Sequence, residues 1–483
     1  MSNPIISGLD QATAATRDPV RAVRWALASL SLSVLLSSLG TSIANVGLPT
    51  LAQVFGATFQ QVQWVVLAYL LAITTLIVSA GKLGDIVGRR RLLLAGIALF
   101  TLASVLCGMA PTLWLLVAAR ALQGLGAAIM MALTMAFVGE TVPKEKTGSA
   151  MGLLGTMSAI GTALGPSLGG VLIAWLGWRA IFLVNLPLGI VALGLAYRCL
   201  PPDGAERKAG AAGLDRLGTL LLALTLTAYA LAMTLHPGGA RSGFGLPNMA
   251  LLLLAAVGVG LFVLIESKAA SPLIRLAMFR DVALSSSLAT STLVATVMMA
   301  TLVVGPFYLA RALELDSTAV GLVLAVGPFV VALTGVPAGR IADRFGAQRM
   351  TVAGLTAMAG GCFALFILPT ALGIPGYLAP IVVITVGYAL FQTANNTAVM
   401  KDIRPDQRGV ISGMLNLSRN LGLITGASVM GAVFAFAAAS GDVATAQPEA
   451  VASGMQITFA VAGMLILLAL GISLGSRAST RKV

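Results

Sequence analysis

A chain of 483 residues with 58% apolar and only 10% charged residues cannot be two or three soluble domains, because soluble chains carry about a quarter charged residues. Three scattered cysteines, Cys107, Cys199 and Cys362, exclude a disulfide framework and a metal site. The net charge of +13 invites a nucleic-acid reading, which the placement of the cations along the chain then excludes.

Residues 1–24 are polar and include Arg17, Arg21 and Arg24, a cytoplasmic N-terminal tail. The apolar run behind them is too long for a signal-peptide core and is read as a retained membrane anchor. At about 20 apolar residues per crossing, helices are predicted near 25–47, 62–81, 91–110, 112–138, 148–174 and 178–199, which makes 25–199 an N-terminal six-helix bundle. A polar linker and two inserted spans, near 216–235 and 248–266, occupy 200–283. Spans near 284–309, 318–338, 350–369, 376–399, 410–438 and 455–475 form a second six-helix bundle, 284–475, followed by a cytoplasmic tail at 476–483. The expected architecture is an all-α polytopic membrane protein with 14 transmembrane helices.

Of 30 Lys and Arg residues, 25 fall in the tails and in the loops on the tails' side, and three, Arg179, Arg241 and Arg311, in the opposite loops. The positive-inside rule puts both termini in the cytoplasm. The cations are therefore topology and contact with anionic membrane lipids, with no nucleic-acid partner. The remaining two, Arg120 and Arg419, lie inside predicted helices.

Gly81–Leu92 reads GKLGDIVGRRRL and has an echo at Gly339–Met350, GRIADRFGAQRM. Gly339, Arg340, Ile341, Asp343, Gly346 and Arg349 answer Gly81, Lys82, Leu83, Asp85, Gly88 and Arg91. A loop repeated once per half implies a duplicated membrane fold. The glycines permit a tight turn and close helix approach, and Asp85 suits a helix N-terminus. The pattern resembles the loop between the second and third helices of the major facilitator superfamily, Gly-x-Leu-Ala-Asp-x-x-Gly-Arg-Arg, with Gly84 where the family prefers Ala. The resemblance implies a latch between the halves, made by Gly81, Asp85, Gly88, Arg89 and Arg90 and by Gly339, Asp343 and Gly346. A basic loop that only fixes topology is the alternative.

Leu39–Pro49, LGTSIANVGLP, resembles the first-helix signature of the fourteen-helix drug/proton antiporters, Leu-Asp-x-Thr-Ile-Val-Asn-Val-Ala-Leu-Pro. Asn45 fits it, and Gly40 replaces the acid; hydroxyls here otherwise bond carbonyls one turn back. Arg120–Ala128, RALQGLGAA, resembles the fourth-helix motif through Arg120 and Gln123. A guanidinium in hydrocarbon must face protein or water, so Arg120 is expected in the central cavity, with carbonyl-satisfied helix packing as the alternative. Gly161–Gly170, GTALGPSLGG, carries Gly161, Gly165 and Gly169 on one face, a seam for tight crossing, and Pro166, which bends the helix. With Gly170 it matches the antiporter motif Gly-x-x-x-Gly-Pro-x-x-Gly-Gly, which implies export. Arg419, and Gln392 with Tyr388, Asn395 and Asn396, are candidates for the cavity in the second half, or for bonds between helices.

All 17 acids fall in tails, loops or helix ends. Embedded arginines without embedded carboxylates make the cavity net positive, so neutral or anionic amphiphiles are expected in preference to quaternary cations. A coupling proton then needs a helix-end acid, Glu140 or Asp85 first, and Gly40→Asp is expected to favour cation transport. No phosphate-binding loop and no nucleophile or metal constellation is present, so the protein is no enzyme and needs no cofactor. The resemblance spans both halves and implies the major facilitator fold, two six-helix bundles plus two inserted central helices. It implies a multi-pass transporter of the cell membrane, monomeric in function, exporting small organic or amphiphilic compounds by alternating access, with protons as coupling ion. The alternatives are a dedicated exporter of one metabolite, such as a siderophore or antibiotic, an uptake symporter, or a polytopic membrane sensor or enzyme without transport.

Overall fold

A computed structural model describes residues 19–141, 147–203, 215–234, 245–269, 279–400, 408–438 and 446–480. These residues form helices and no strand, as backbone in hydrocarbon requires, since each N–H and C=O must find its partner within the segment. The first half comprises α1 (Pro19–Val46), α2 (Leu48–Phe55), α3 (Phe59–Val87), α4 (Arg89–Met109), α5 (Leu113–Thr141), α6 (Thr147–Leu176), α7 (Ala180–Leu183) and α8 (Asn185–Cys199). The inserted pair is α9 (Arg216–Thr234) and α10 (Leu246–Lys268). The second half comprises α11 (Val282–Phe307), α12 (Ser317–Phe345), α13 (Ala347–Ile367), α14 (Gly373–Met400), α15 (Arg408–Thr425), α16 (Gly431–Ala437) and α17 (Pro448–Thr480). Among the described residues, twelve helices are long and apolar enough to cross a membrane, and shorter apolar stretches, Ile160–Leu176 and Ser317–Val331, lie in α6 and α12.

Several breaks fall elsewhere than the sequence predicts. Gly81–Leu92 is not a loop: α3 runs through Gly81 and Gly84 to Val87, and Gly88 alone, at φ 110°, turns the chain into α4. Gly346, at φ 88°, does the same between α12 and α13. The repeat is therefore a pair of helix ends meeting at one glycine. The first span ends at Val46, where Gly47 interrupts it and Pro49 opens the short α2. Two π-helical turns, Tyr308–Ala312 and Gly426–Met430, carry no sequence signal.

Within the first half α1 packs on α6, and α3 and α4 on α5; within the second, α13 packs on α14 and α17, and α11 on α15. Two seams join the halves. On one side α6 lies along α12; on the other, α3 meets α15 and the second π-turn. At the Phe59 end of α3 both halves share one apolar core, in which Leu48, Leu51 and Phe59 meet Phe307, Leu309 and Phe434. Phe59 stacks edge-on against Phe307 (4.8 Å between centroids) and Phe434 (5.5 Å). Gln63 Nε2 donates across the seam to the Ala427 carbonyl of the π-turn at 3.0 Å. Towards the Gly88 end, the buried apolar clusters among the described residues stay on one side or the other: one belongs to the first half, with Leu30, Phe100 and Phe137, and one joins α10 to α11 and α15.

The inserted pair covers the α3–α15 seam from outside. Trp64 Nε1 donates to Thr234 Oγ1 (3.1 Å), and Ser79 and Thr219 hydroxyls lie 2.6 Å apart, so α9 runs antiparallel along α3. Phe262 of α10 packs on Leu284, Leu288 and Met414 of the second half. The outer flank of α10 exposes Leu253, Leu254, Val257, Leu261 and Leu264, an apolar face suited to acyl chains.

Candidate substrate cavity and the network behind it

Arg120 is fully buried inside the first half, not in the cavity. Its Nε donates to the Val65 carbonyl (2.9 Å), one terminal nitrogen to the Gly40 carbonyl (3.0 Å) and the other to Gln123 Oε1. Gln123 passes the chain on, its Nε2 donating to Ser104 Oγ (2.7 Å), which donates to the Phe100 carbonyl (2.7 Å). The guanidinium lies over the Tyr69 ring, 4.1 Å from its centroid, while Tyr69 Oη donates to the Ser37 carbonyl. One cation thus ties α1, α3, α4 and α5 together. The expectation that Arg120 faces the cavity is overturned: three acceptors and a ring face supply inside the protein what water would have supplied.

Gly40 and Asn45 belong to the same buried body. A Cβ at Gly40 would sit 3.0 Å from Tyr69 Oη and 3.2 Å from Phe100 Cζ. Asn45 Nδ2 bonds the Thr41 carbonyl one turn back (3.0 Å), and Thr41 and Ser42 do the same to Ser37 and Ser38. The local-bonding alternative holds for this helix.

The glycine motif of α6 faces two ways. Added Cβ atoms would meet the Leu35 carbonyl at 2.5 Å from Gly161, Ser42 Oγ at 1.9 Å from Gly165 and Val46 at 2.6 Å from Gly169, all on α1. That is the predicted small-residue seam. Gly170 instead faces α12, where its Cβ would lie 2.5 Å from the Ser317 carbonyl and 2.8 Å from Gly321 Cα. Pro166, inside α6, brings its carbonyl to 2.6 Å from a Cβ built at Gly321. Within ten residues the motif holds a bundle together and sets the approach of the halves.

A cavity of about 230 Å³ lies between the α6 edge and α11, α12, α14 and α15. Ser158 and Thr162 contribute from the first half. Arg419 and Gln392, predicted from sequence, line it, and so do Tyr388, Thr385 and Thr393. Apolar walls come from Met298, Leu302, Leu324, Pro328 and Ile381, and Tyr377 closes one end. No residue of α9 or α10 lines it, and no carboxylate does among the described residues. Asn395 is buried behind the wall, and Asn396 accepts from Gln392 Nε2 at 3.2 Å. The Ser158 and Thr162 contribution and the Tyr377 end have no sequence signal, because they depend on which faces of α6 and α14 the fold turns inward.

At the Gly88 turn, an acid not singled out from sequence does the anchoring. Asp203, just past α8, accepts from the Arg90 and Arg91 backbone N–H groups (2.8 and 3.2 Å) and so caps α4. Arg90 also donates to the Tyr197 carbonyl and lies over the Tyr197 ring. Arg89 opens α4, and Gly81 has open space where a Cβ would stand. The side chains of Lys82, Asp85, Glu140, Arg340 and Asp343, the surroundings of Gly339, and His236 lie outside the described residues. Both turn glycines have positive φ, and a side chain there costs about 1–3 kcal/mol. At Gly88 a Cβ would also lie 2.6 Å from the Asp203 carboxylate, while at Gly346 it meets open space. Gly88→Ala is therefore expected to lower the melting temperature in detergent more than Gly346→Ala; equal shifts would show that Asp203 simply yields.

The sequence model of the Major Facilitator Superfamily matches residues 30–427. The riboflavin transporter RibZ of Clostridioides difficile (strain 630) is 30% identical over 413 residues, 85% of this chain and 88% of that one. The multidrug resistance protein Stp of Mycobacterium tuberculosis (strain ATCC 25618 / H37Rv) is 32% identical over 419 residues, covering 85% of this chain and 75% of its own. Among solved structures, a bacterial homologue of the human lysosomal transporter Spinster superposes with a TM-score of 0.69 at 14% identity, covering 96% of this chain and 98% of that chain. The xylose transporter XylE from E. coli gives 0.63 at 15%, covering 93% and 96%. At such identities the superpositions show the fold alone, while the sequence match runs through both halves and the inserted pair: the chain is a multi-pass membrane transporter, not an enzyme, and belongs to the Major Facilitator Superfamily.

Proposed function

We propose that this transporter exports small organic amphiphiles by alternating access, as a fourteen-helix chain with both termini in the cytoplasm. The carrying observation is the asymmetry of the seams. Among the described residues the halves share a buried apolar core at the Phe59 end, and the cavity lies between that core and the Gly88 end. With the cations setting the Gly88 end in the cytoplasm, this is the state that loads from inside. Relatives whose names include multidrug resistance protein Stp and drug efflux pump JefA support efflux, and the matched α6 motif supports its direction. Protons are the proposed counter-ion, taken up by Glu140 or Asp85 at the helix ends, because no carboxylate is available in the described cavity wall. The cavity is formed within one chain, so a monomer is the proposed functional unit.

Everted vesicles from cells producing the protein should accumulate organic amphiphiles when energised by an inward-acid pH gradient, and should lose most of that uptake on collapse of the gradient. Accumulation only in right-side-out vesicles would make the protein an importer. Full coupling in the Glu140→Gln, Asp85→Asn double variant would remove those two acids from the proton path.

A further inference from the structure

The two embedded arginines have opposite fates. Arg120 spends its donors on carbonyls and Gln123. Arg419, half-buried in the cavity wall, has no hydrogen-bond or ion-pair partner among the described residues. It stands five residues into the apolar stretch Met414–Ala437, about 8 Å along the helix axis, within the span of a hydrocarbon core. A guanidinium left open at that depth is costly unless water or an anion meets it. Its fork of donors suits planar anions such as carboxylates.

The cavity around it is polarised along its length. Gln392, Thr393 and Tyr388 gather towards the Gly88 side of α14. At the other end Leu324, Ile381 and Leu302 lead to Tyr377, whose ring packs against Tyr308 (5.6 Å between centroids). Tyr377 and Gln392 stand about 22 Å apart along the helix axis.

We propose that Arg419 is the specificity-determining residue of this cavity, and that the cargo is an elongated amphiphile bearing one anionic group, seated at Arg419 with its apolar body directed towards Tyr377. The proposal rests on this cavity being the cargo site of the exporter. One unpaired cation neutralises one charge; a second anionic group would remain uncompensated, since no further cation stands among the described lining residues. A quaternary ammonium would meet Arg419 as a like charge, with no carboxylate among the described lining residues to offset it.

Equilibrium binding to the full-length protein in nanodiscs tests this with three forms of one skeleton: 6-(2-naphthyl)hexanoate, its primary amide, and the corresponding trimethylammonium compound. The carboxylate should bind about tenfold or more tighter than the amide, the margin of one charge-assisted hydrogen bond, and the ammonium form weakest. Arg419→Gln should lower the carboxylate's affinity to that of the amide, and Arg419→Lys should restore part of the margin. Equal binding of the three forms by the native protein, preference for the ammonium form, no saturable binding of the carboxylate, or a margin that survives Arg419→Gln would each overturn it. The native ratio decides the matter even if the Gln variant fails to fold. Binding is read without transport, so a native protein that shows the margin but does not accumulate the carboxylate in everted vesicles would count against export and leave the assignment of Arg419 standing.

Discussion

Arg120→Leu should remove the protein from the membrane, not retune its cargo. Deleting the guanidinium leaves the Gly40 and Val65 carbonyls and Gln123 Oε1 without their donors in a site that water does not reach. Breaking a buried charged network by removing one member costs about 3–5 kcal/mol, a large share of the stability of one helical bundle. Arg120→Lys should recover only part of the loss, because a single ammonium cannot reach three diverging acceptors and replace the flat stack on Tyr69. The readout is the yield of monodisperse protein and its melting temperature in detergent, with the carboxylate-to-amide binding ratio of whatever remains folded. A Leu variant as stable as the native protein but altered in that ratio would place Arg120 in the cargo site after all. The same geometry reverses the expectation for Gly40→Asp. Its carboxylate would stand among Tyr69, Phe100 and the Arg120 guanidinium, so it would be neutralised inside the bundle and should not recruit cations.

The arrangement of the helices is legible in the sequence because membrane-crossing segments announce themselves by length, and the repeated Gly81 and Gly339 segments by their matching spacing. What sequence does not tell is which way a polar side chain in a helix faces. Arg120 and Arg419 read alike as embedded cations. They differ only in whether three backbone or side-chain acceptors from neighbouring helices converge on the head group, and convergence is a property of packing. Gly170 reads together with Gly161, Gly165 and Gly169 for the same reason. Its one-residue offset rotates it by about 100° on the helix, which turns it from α1 to α12. Asp203 escapes notice because it lies in a polar linker, where acids are unremarked; only the fold brings it to the N-terminus of α4, more than 100 residues earlier in the chain.

That offset on α6 separates two variants of one motif. Gly165→Leu should unfold the first half, since its Cβ alone would come within 1.9 Å of Ser42 Oγ and 2.8 Å of the Ile43 nitrogen on α1. Gly170→Leu should leave each bundle folded and strike the contact between them. Its Cβ meets the Ser317 carbonyl and the backbone of Gly321, neither of which can rotate away as a side chain would. Overpacking of this kind costs about 1–3 kcal/mol. Applied to a contact made in one state of a two-state transporter, that shifts the equilibrium by about 5- to 150-fold. The Phe59 end should therefore open. A cysteine placed at Phe307, in a protein freed of Cys107, Cys199 and Cys362, should react with a membrane-impermeant maleimide from outside the cell faster in the Gly170→Leu variant than in the background that keeps the glycine. Export should fall in proportion, while melting temperature and yield stay near those of the native protein. Native export by Gly170→Leu, or unfolding as complete as that of Gly165→Leu, would mean that α6 and α12 do not separate in the transport cycle.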